Sequence, residues 1–310
     1  CEKRVDVILS PSPPLTIGFL NVLIAKLKGA KVIYNVQEIY PDLLIEEGGL
    51  KSGPAISFLK WLERFVYNHS DAVTTIDKIF YDTIISRFKD KSKLHIIPNF
   101  VDTDIYKPLA KENLELNKKL FPDTESLKIM YAGNIGIAQD WDPLIALADE
   151  LKNDAIEFIV IGEGAEKERL LKEKDNRKLD KLHIIPYQSR ELMPALLAYS
   201  DVQFIFMAPS TEGHGFPSKV YTIMACAKPL IVISGKNTPI INFLNDKDCA
   251  FLITQRDLLS NVSKMADILR NTPLSDFERL GRNGYVNIAN NYSKEKVTEE
   301  YVKLVDQLVN

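Results

Sequence analysis

Short, nearly continuous apolar runs alternate with amphipathic stretches along almost the whole chain, and this alternation restricts the possible folds more than any other feature. Consecutive apolar residues are typical of strands that are buried on both faces of a parallel sheet. The predicted strands are 5–9, 31–34, 72–75, 94–97, 127–131, 158–161, 182–185, 201–207 and 229–233. The predicted helices are 17–28, 55–68, 78–88, 143–152, 165–173, 191–199 and 219–227. This order predicts an α/β fold with doubly wound parallel sheets.

A polar stretch with two prolines divides the alternating pattern into two halves. The chain has 310 residues, which at roughly 150 residues per domain corresponds to two domains. Pro108 and Pro122 lie in the polar stretch, and a new strand begins at Leu127. We therefore expect a first domain over 1–107, a linker over 108–126, a second domain over 127–292 and an amphipathic C-terminal helix over 293–310.

Composition excludes several classes of function. The 39 Lys and Arg residues are scattered among 42 Asp and Glu residues, giving a net charge of −3, whereas nucleic-acid binding needs a concentrated basic surface. No apolar run approaches the about 18 to 20 residues of a membrane span. The three cysteines cannot form a disulfide framework, so we expect a reducing, cytoplasmic location. The histidines lack metal-ligand spacing, and no metal site is predicted.

Glycine turns follow two predicted strands of the second half. Gly133 and Gly136 follow strand 127–131, and Gly162 and Gly164 follow strand 158–161. Ligands of open parallel sheets bind beyond the carboxyl ends of the strands, where glycine lets a ligand approach the backbone. A single glycine turn also occurs for packing alone. Several such turns at one edge of a sheet indicate a ligand of nucleotide size.

The loop that leads into helix 219–227 has the composition of an anion site. Ser218 is placed to cap the helix, and Lys219 adds a positive charge beside the N–H groups of the first turn. A pyrophosphate is a suitable ligand, although no P-loop motif is present. The same residues also fit a plain helix cap followed by a surface lysine.

Four motifs in the same order resemble one enzyme family. They are residues 96–104 with Lys107-Pro108, residues 131–136, residues 159–164, and residues 215–219 continued by 224–229. Together they resemble the retaining nucleotide-sugar glycosyltransferases of family four, most closely the branch that builds bacterial surface polysaccharides. The resemblance implies a GT-B fold of two facing Rossmann-like domains. Family members carry further strands before the first one seen here, so the first domain is expected to be N-terminally truncated and incomplete.

The resemblance also implies an activity. A hexosyl or N-acetylaminosugar group would pass, with retention, from a UDP-sugar or another NDP-sugar to a saccharide or polyprenyl-diphosphate-linked acceptor. Such transfer serves capsule, O-antigen or exopolysaccharide synthesis and needs no cofactor. Two alternatives remain open. One is a non-catalytic sugar-nucleotide-binding subunit that needs a partner chain, and the other is a nucleotide-sugar epimerase of the same fold.

The resemblance assigns candidate residues to a donor site and to catalysis. The donor-binding candidates are Gly133, Asn134, Gly136, Gln139, Gly162, Glu163, Tyr187, Gly215, Phe216, Pro217, Ser218 and Thr222, and the catalytic candidates are Glu38, His214 and Lys219. Lys219 and the first glycine turn would hold the pyrophosphate, Glu163 and Tyr187 would lie near the base and ribose, and His214 near the transferred sugar. Thr222 stands where the family has a ribose-binding Glu, and Asn134 and Gln139 stand where it has basic residues.

In the first half, the segment after strand 31–34 resembles the acceptor-facing segment of the family. Glu38 is the first candidate to orient or deprotonate the acceptor hydroxyl, and Asp42 is the second. Each of these two residues could equally be an exposed carboxylate in a loop or an acidic residue at the start of a helix, without a role in catalysis. Helix 55–68 is basic and aromatic, so it could rest on the inner face of the plasma membrane as a peripheral contact. Ordinary core packing is the interpretation we favour for that helix.

Overall fold

The computed structural model describes residues 4–46, 53–111, 114–122, 124–212 and 216–310. The chain divides into two compact units. The first comprises Cys1–Phe100 with Lys294–Asn310, and the second comprises Val101–Ser293. The last helix therefore belongs to the first unit, although it follows the second unit in the chain.

Ten strands and twelve α-helices are found in the described residues. The strands are β1 (Val7–Pro11), β2 (Lys31–Val36), β3 (Ala72–Thr75), β4 (Leu94–Ile96), β5 (Leu127–Ala132), β6 (Ile156–Ile161), β7 (Leu182–Ile185), β8 (Val202–Phe206), β9 (Leu230–Ile233) and β10 (Ala250–Ile253). The helices are α1 (Leu15–Lys28), α2 (Asp42–Glu46), α3 (Pro54–His69), α4 (Lys78–Ile84), α5 (Asp142–Glu150), α6 (Lys167–Arg177), α7 (Met193–Tyr199), α8 (Lys219–Ala225), α9 (Pro239–Leu244), α10 (Leu258–Asn271), α11 (Leu274–Asn291) and α12 (Lys294–Val309).

The first unit is built on a four-stranded parallel sheet in the order β1-β2-β3-β4. Helix α1 packs Val22 and Ala25 against Val32 of β2. Helix α12 packs Val297 and Leu304 in a second cluster, which includes Ile33, Ala72 and Ile97. Because apolar side chains of β2 enter both clusters, its nearly continuous apolar sequence is explained.

The second unit is built on a six-stranded parallel sheet in the order β10-β9-β8-β5-β6-β7. From β5 the chain proceeds to β6 and β7 on one side, then returns to β8 beside β5 and continues outward to β9 and β10. The strand order thus reverses between β5 and β8. In open α/β sheets, the crevice beyond the carboxyl ends of the strands at such a reversal is the usual ligand site.

Every predicted strand is present, with bounds that shift by one or two residues, and the terminal helix is confirmed. Strand β10 and helices α2, α9, α10 and α11 were not predicted. Helix α11 contains Gly281 and Gly284, which weaken a helical pattern in a sequence. Packing requires the first of these, because a Cβ on Gly281 would lie 2.1 Å from the carbonyl oxygen of Ala227.

Core packing explains only part of helix α3, contrary to the interpretation favoured from the sequence. Leu62 and Val66 are buried. Phe58 and Trp61 are 58% and 53% exposed, so the core-packing interpretation is wrong for these two aromatic side chains.

Two kinds of feature do not occur among the described residues. No group of three or more His, Cys, Asp or Glu side chains is placed to hold a metal ion. No helix in that part of the chain combines the length and the apolar character that crossing a bilayer requires.

Candidate active site

The glycine turns after β5 and β6 interlock at the point where the strand order reverses. The N–H of Gly133 donates to the carbonyl oxygen of Ile161, at 2.9 Å. Gly133, Gly162 and Gly164 have φ values of 147°, 152° and 154°, which side-chain-bearing residues rarely adopt. A Cβ on Gly162 would lie 1.9 Å from the oxygen of Gly133, and one on Gly164 would lie 2.2 Å from that of Ile135. Glycine is therefore required here, and two backbone segments meet without intervening side chains.

Two buried aromatic side chains support the first glycine turn through hydrogen bonds to its carbonyl oxygens. The hydroxyl of Tyr131 donates to the oxygen of Asn134, at 2.7 Å, and the indole N–H of Trp141 donates to the oxygen of Gly136, at 2.9 Å. The N–H of Gly136 donates to the side-chain oxygen of Gln139, at 3.2 Å. Gln139, a donor-binding candidate, thus supports the shape of the turn.

Lys219 brings a positive charge to the back of this turn. As the first residue of α8, it extends its Nζ to the carbonyl oxygen of Ala132, at 3.0 Å, and lies 3.7 Å from the ring centroid of Tyr131. A Cβ on Gly133 would come within 2.6 Å of the same Nζ. Burial lowers the pKa of Lys219 to about 7. Among the described carboxylates none forms an ion pair with it, so no anion in that part of the chain balances the charge of the ammonium.

A cavity of about 330 Å³ opens beside the two glycine turns. Its lining residues are Ala132, Gly133, Asn134, Ile161, Gly162, Glu163, Tyr187, Gln188 and Met193. Glu163 is paired with Lys167 at 2.7 Å, and that hydrogen bond lowers the pKa of Glu163. The cavity brings together five of the donor-binding candidates, and its volume is within the range of small-molecule sites.

A larger cavity, of about 810 Å³, lies near the opposite end of β5, and three of its charged side chains already have partners. Lys128 donates to the carbonyl oxygens of Thr124 and Ser126, at 2.6 and 3.2 Å. Asp201 is paired with Lys111. We therefore place the candidate site at the smaller cavity, which is lined by both glycine turns and includes Gly133, the neighbour of the Lys219 ammonium.

The prediction that Ser218 caps helix α8 is wrong. Ser218 has helical φ and ψ angles, and its side chain makes no capping hydrogen bond. A capping residue has extended angles, which turn its side chain toward the first N–H groups of the helix. The hydroxyl of Thr222 donates to the carbonyl oxygen of Lys219, at 2.9 Å, so Thr222 can offer a ligand only an acceptor.

The remaining candidates of this loop divide into two groups. Phe216 packs against Tyr221 and Phe243, with ring centroids 5.5 and 5.3 Å away, and so belongs to an aromatic cluster. Pro217 stands at the start of α8, where its oxygen accepts from the N–H of Val220, at 3.0 Å. His214 and Gly215 lie outside the described residues.

Glu212, which belongs to none of the sequence motifs, anchors the start of the same loop. Its buried carboxylate accepts a hydrogen bond from the N–H of Gly235 at 2.6 Å and one from the hydroxyl of Ser234 at 3.3 Å, and it pairs with Arg256. These partners tie the loop after β8 to the end of β9. The only sequence signal is an acidic residue beside glycine, which is common in exposed loops.

In the first unit, Glu38 lies just beyond the carboxyl end of β2 and is partly buried. The preceding residue is fixed, because the N–H of Gln37 donates to the hydroxyl oxygen of Ser12, at 3.1 Å. The carboxyl ends of β1 and β2 thus hold the segment that carries the predicted acceptor carboxylate.

Asp42, the second acceptor candidate, is part of an ion cluster. Arg87 pairs with Asp42 at the start of α2 and with the buried Glu63 of α3. Burial raises the pKa of Glu63 to about 7, although Arg87 opposes this shift. The partners of Asp42 connect two helices, which favours a structural role over one in catalysis.

Residues 112–286 match the family described as glycosyl transferases group 1, and residues 2–99 match a glycosyl transferase 4-like domain. The chain belongs to the group 1 glycosyl transferase family. The predicted GT-B class of two parallel-sheet α/β domains is confirmed by structural neighbours with this fold.

Two relatives of this group 1 glycosyl transferase are proteins of Escherichia coli and Pseudomonas aeruginosa. It is 27% identical to the putative colanic acid biosynthesis glycosyl transferase WcaI of Escherichia coli K12, over 72% of this chain and 56% of that protein. The chain thus matches little more than half the length of WcaI. It is 23% identical to the probable glycosyltransferase WbjE of Pseudomonas aeruginosa, over 99% of this chain and 76% of that protein. The crystal structure of Anabaena Alr3699/HepE in complex with UDP has a TM-score of 0.78 at 12% identity, over 97% of this chain and 79% of that chain.

Proposed function

We propose that this glycosyltransferase moves a hexosyl or N-acetylaminosugar group, with retention, from a nucleotide-diphospho-sugar to a saccharide or polyprenyl-diphosphate-linked acceptor. The donor would be a UDP-sugar or another NDP-sugar, with no cofactor. The observation that carries the proposal is the ammonium of Lys219, 3.0 Å from the oxygen of Ala132 and directly behind the glycine turn at Gly133. The complex of HepE with UDP supports a nucleotide donor, and the name of WcaI supports a role in surface-polysaccharide synthesis.

Charge balance explains why a diphosphate suits this position. A partly buried ammonium without a carboxylate partner is costly, and a bound diphosphate would supply the missing negative charge. As the acceptor oxygen bonds to the anomeric carbon, cleavage of the bond between that carbon and the phosphate oxygen places one further negative charge on the departing diphosphate. Lys219 would stabilise it in the transition state, while a departing phosphate oxygen assists the acceptor hydroxyl on the same face of the sugar.

Other candidates receive roles that fit their positions. Glu163 and Tyr187, which line the cavity of about 330 Å³, would contact the base and ribose. Thr222 would accept one hydrogen bond from the ribose, and His214 would lie near the transferred sugar. Glu38 of the first unit would orient the acceptor hydroxyl or take its proton.

The proposal predicts donor-dependent release of a nucleoside diphosphate. We expect one member of a panel of UDP-, GDP- and ADP-sugars to give release that rises when a lipid-linked saccharide acceptor is added. Coupled detection of the nucleoside diphosphate measures the rate, and product NMR reports retention. Donor binding without release would favour the non-catalytic subunit, and an altered sugar nucleotide without acceptor would favour the epimerase. No binding of any donor would contradict the proposal.

We also propose that the first unit rests on an anionic membrane surface, at the cytoplasmic face. Helices α1 and α3 pack together through Phe19 and Phe65, whose ring centroids are 5.3 Å apart. Their exposed apolar residues are Ile17, Leu20, Leu23, Ile24 and Leu27 on α1, and Phe58 and Trp61 on α3. The exposed basic residues of the two helices are Lys26, Lys28, Lys60 and Arg64, and the one carboxylate of these fully described helices, Glu63, is buried. Apolar and basic side chains on one surface complement anionic lipid headgroups.

Tryptophan fluorescence tests this surface directly. The chain has two tryptophans. Trp61 is 53% exposed and Trp141 is 1% exposed, so vesicles rich in phosphatidylglycerol should shift the emission of Trp61 to the blue. The double change Lys60→Ala and Arg64→Ala should weaken binding about tenfold or more, because each basic residue near the surface contributes roughly 1 kcal/mol. Leu259→Ser, at an apolar residue exposed on α10, is the matched control. An equal shift with neutral phosphatidylcholine vesicles would contradict the charge argument.

A further inference from the structure

The surface of the first sheet beneath α12 changes from apolar to polar toward the carboxyl ends of its strands. Ile33 of β2 and Ala72 of β3 are buried in the cluster that includes Val297 and Leu304 of α12. Two residues further along the same strands stand Asn35 and Thr74, which are partners in the strand register. Side chains two residues apart share one face of a strand. The change therefore occurs on the face that α12 covers.

Tyr301 of α12 contacts both the apolar and the polar part of this surface. Its ring packs against the apolar cluster. Its hydroxyl accepts a hydrogen bond from the amide nitrogen of Asn35 and lies 3.3 Å from the hydroxyl oxygen of Thr74. Burial raises the pKa of Tyr301, so its hydroxyl stays protonated at neutral pH. A protonated hydroxyl can accept from Asn35 and donate to Thr74 at the same time.

The network continues from Asn35 to the segment that contains Glu38. The side-chain oxygen of Asn35 accepts from the amide nitrogen of Gln37, at 2.5 Å, and the carbonyl oxygen of Asn35 accepts from the N–H of Ser12, at 2.8 Å. Because both ends of the Asn35 amide are engaged, its plane is fixed. The orientation of the Gln37 side chain depends in turn on that plane. Asn35, Gln37 and Tyr301 are all partly exposed.

We propose that Tyr301 is a positioning residue for acceptor recognition, acting through Asn35 on Gln37. This inference rests on the proposed glycosyltransferase function. Gln37 retains a side-chain oxygen and a second amide hydrogen, and such groups in fixed orientation select among the hydroxyl groups of a saccharide. A purely structural helix contact would need only the apolar residues of α12. The polar network is what links that helix to the residue before the candidate carboxylate.

Removing one oxygen atom from Tyr301 tests the inference. Tyr301→Phe should raise the acceptor KM about tenfold, the usual effect of losing one hydrogen bond in a polar network, while the donor KM and kcat stay within about twofold. Thr74→Val should act in the same direction, and Thr74→Ser, which keeps the hydroxyl, should behave as the unchanged protein. Tyr285→Phe, the same change on α11 of the second unit, is the matched control. Thermal unfolding of each variant monitors stability.

The outcomes separate this inference from the proposed function. An acceptor KM that Tyr301→Phe leaves unchanged, or a donor KM that rises equally, would overturn the positioning role while the transferase function stands. If the unchanged protein releases no nucleoside diphosphate from any donor, the proposed function fails. Saturation-transfer NMR with a panel of neutral oligosaccharides then decides the inference. Binding that weakens in Tyr301→Phe but not in Tyr285→Phe supports it, and absence of binding to the unchanged protein overturns it.

Discussion

Lys219→Met should lower turnover at least tenfold while making the donor-free protein more stable. The change removes an ammonium that has carbonyl and aromatic contacts but no carboxylate partner among the described residues. Without donor, that charge is costly, so we expect the free energy of unfolding to rise by about 2 kcal/mol at pH 6. With donor, the variant loses the charge that stabilises the departing diphosphate.

The protonation of the same lysine should also make the stability and the donor affinity of the protein depend on pH. Its pKa is lowered by burial from 10.5 to about 7, so the unfolded chain binds more protons between about pH 7 and 10.5. The stability of the donor-free protein should therefore rise with pH across that interval, and Lys219→Met should remove the rise. Donor affinity should change in the opposite direction, because above about pH 7 the free protein loses the charge that binds the diphosphate.

Denaturant unfolding and calorimetric titration with UDP, each from pH 6 to 10, measure these effects. Lys219→Arg, which stays charged at all these pH values, should bind without the decline above pH 7. Lys264→Met, on the exposed surface of α10, is the control. Turnover and UDP affinity that Lys219→Met leaves unchanged would remove Lys219 from the donor site.

Gly162→Ala should abolish donor binding and destabilise the second unit by about 3 kcal/mol, because two penalties coincide. The new Cβ would lie 1.9 Å from the backbone oxygen of Gly133, and alanine would have to adopt a φ of 152°. Neither backbone segment can yield without separating the two glycine turns. The turn that faces Lys219 would then lose its shape.

Gly29→Ala separates conformational strain from collision. Gly29 ends α1 with a φ of 69°, and nothing lies within 4 Å of the added Cβ. Only strain remains there, so we expect a loss of about 1 kcal/mol and no change in UDP affinity. Unfolding in urea and titration with UDP compare the two variants. If both are destabilised equally and both bind UDP, the interlocked turns are not required for donor binding.

The parts of the site that could be predicted from the sequence depend on local backbone geometry. Gly133 and Gly162 could be recognised because glycine is typical of turns at strand ends. A positive φ and a close approach of two backbones leave little choice of another residue there. Lys219 became a candidate in the same way, from its place at the start of a helix, and its role in the donor site stays a prediction. The predicted Ser218 cap was wrong because capping depends on the φ and ψ angles of that one residue. Those angles are determined by the residues that surround it in the fold.

The parts that the sequence did not reveal depend on residues far apart in the chain. Glu212 is buried against Arg256, 44 residues away, and Asp42 shares Arg87 with Glu63. No local pattern distinguishes such carboxylates from exposed ones. The exposed Phe58 and Trp61 are a similar case, because apolar periodicity identifies a helix but not how much of its surface the neighbouring elements cover.

The return of α12 to the first unit has a consequence for biosynthesis. Every residue of Val101–Ser293 is translated before the helix that covers β2 and β3. The sequence of the second unit is therefore complete before that of the first, because the first unit also needs Lys294–Asn310. A premature stop codon before Lys294 would spare the glycine turns and Lys219, but it would leave the apolar face of the other sheet bare.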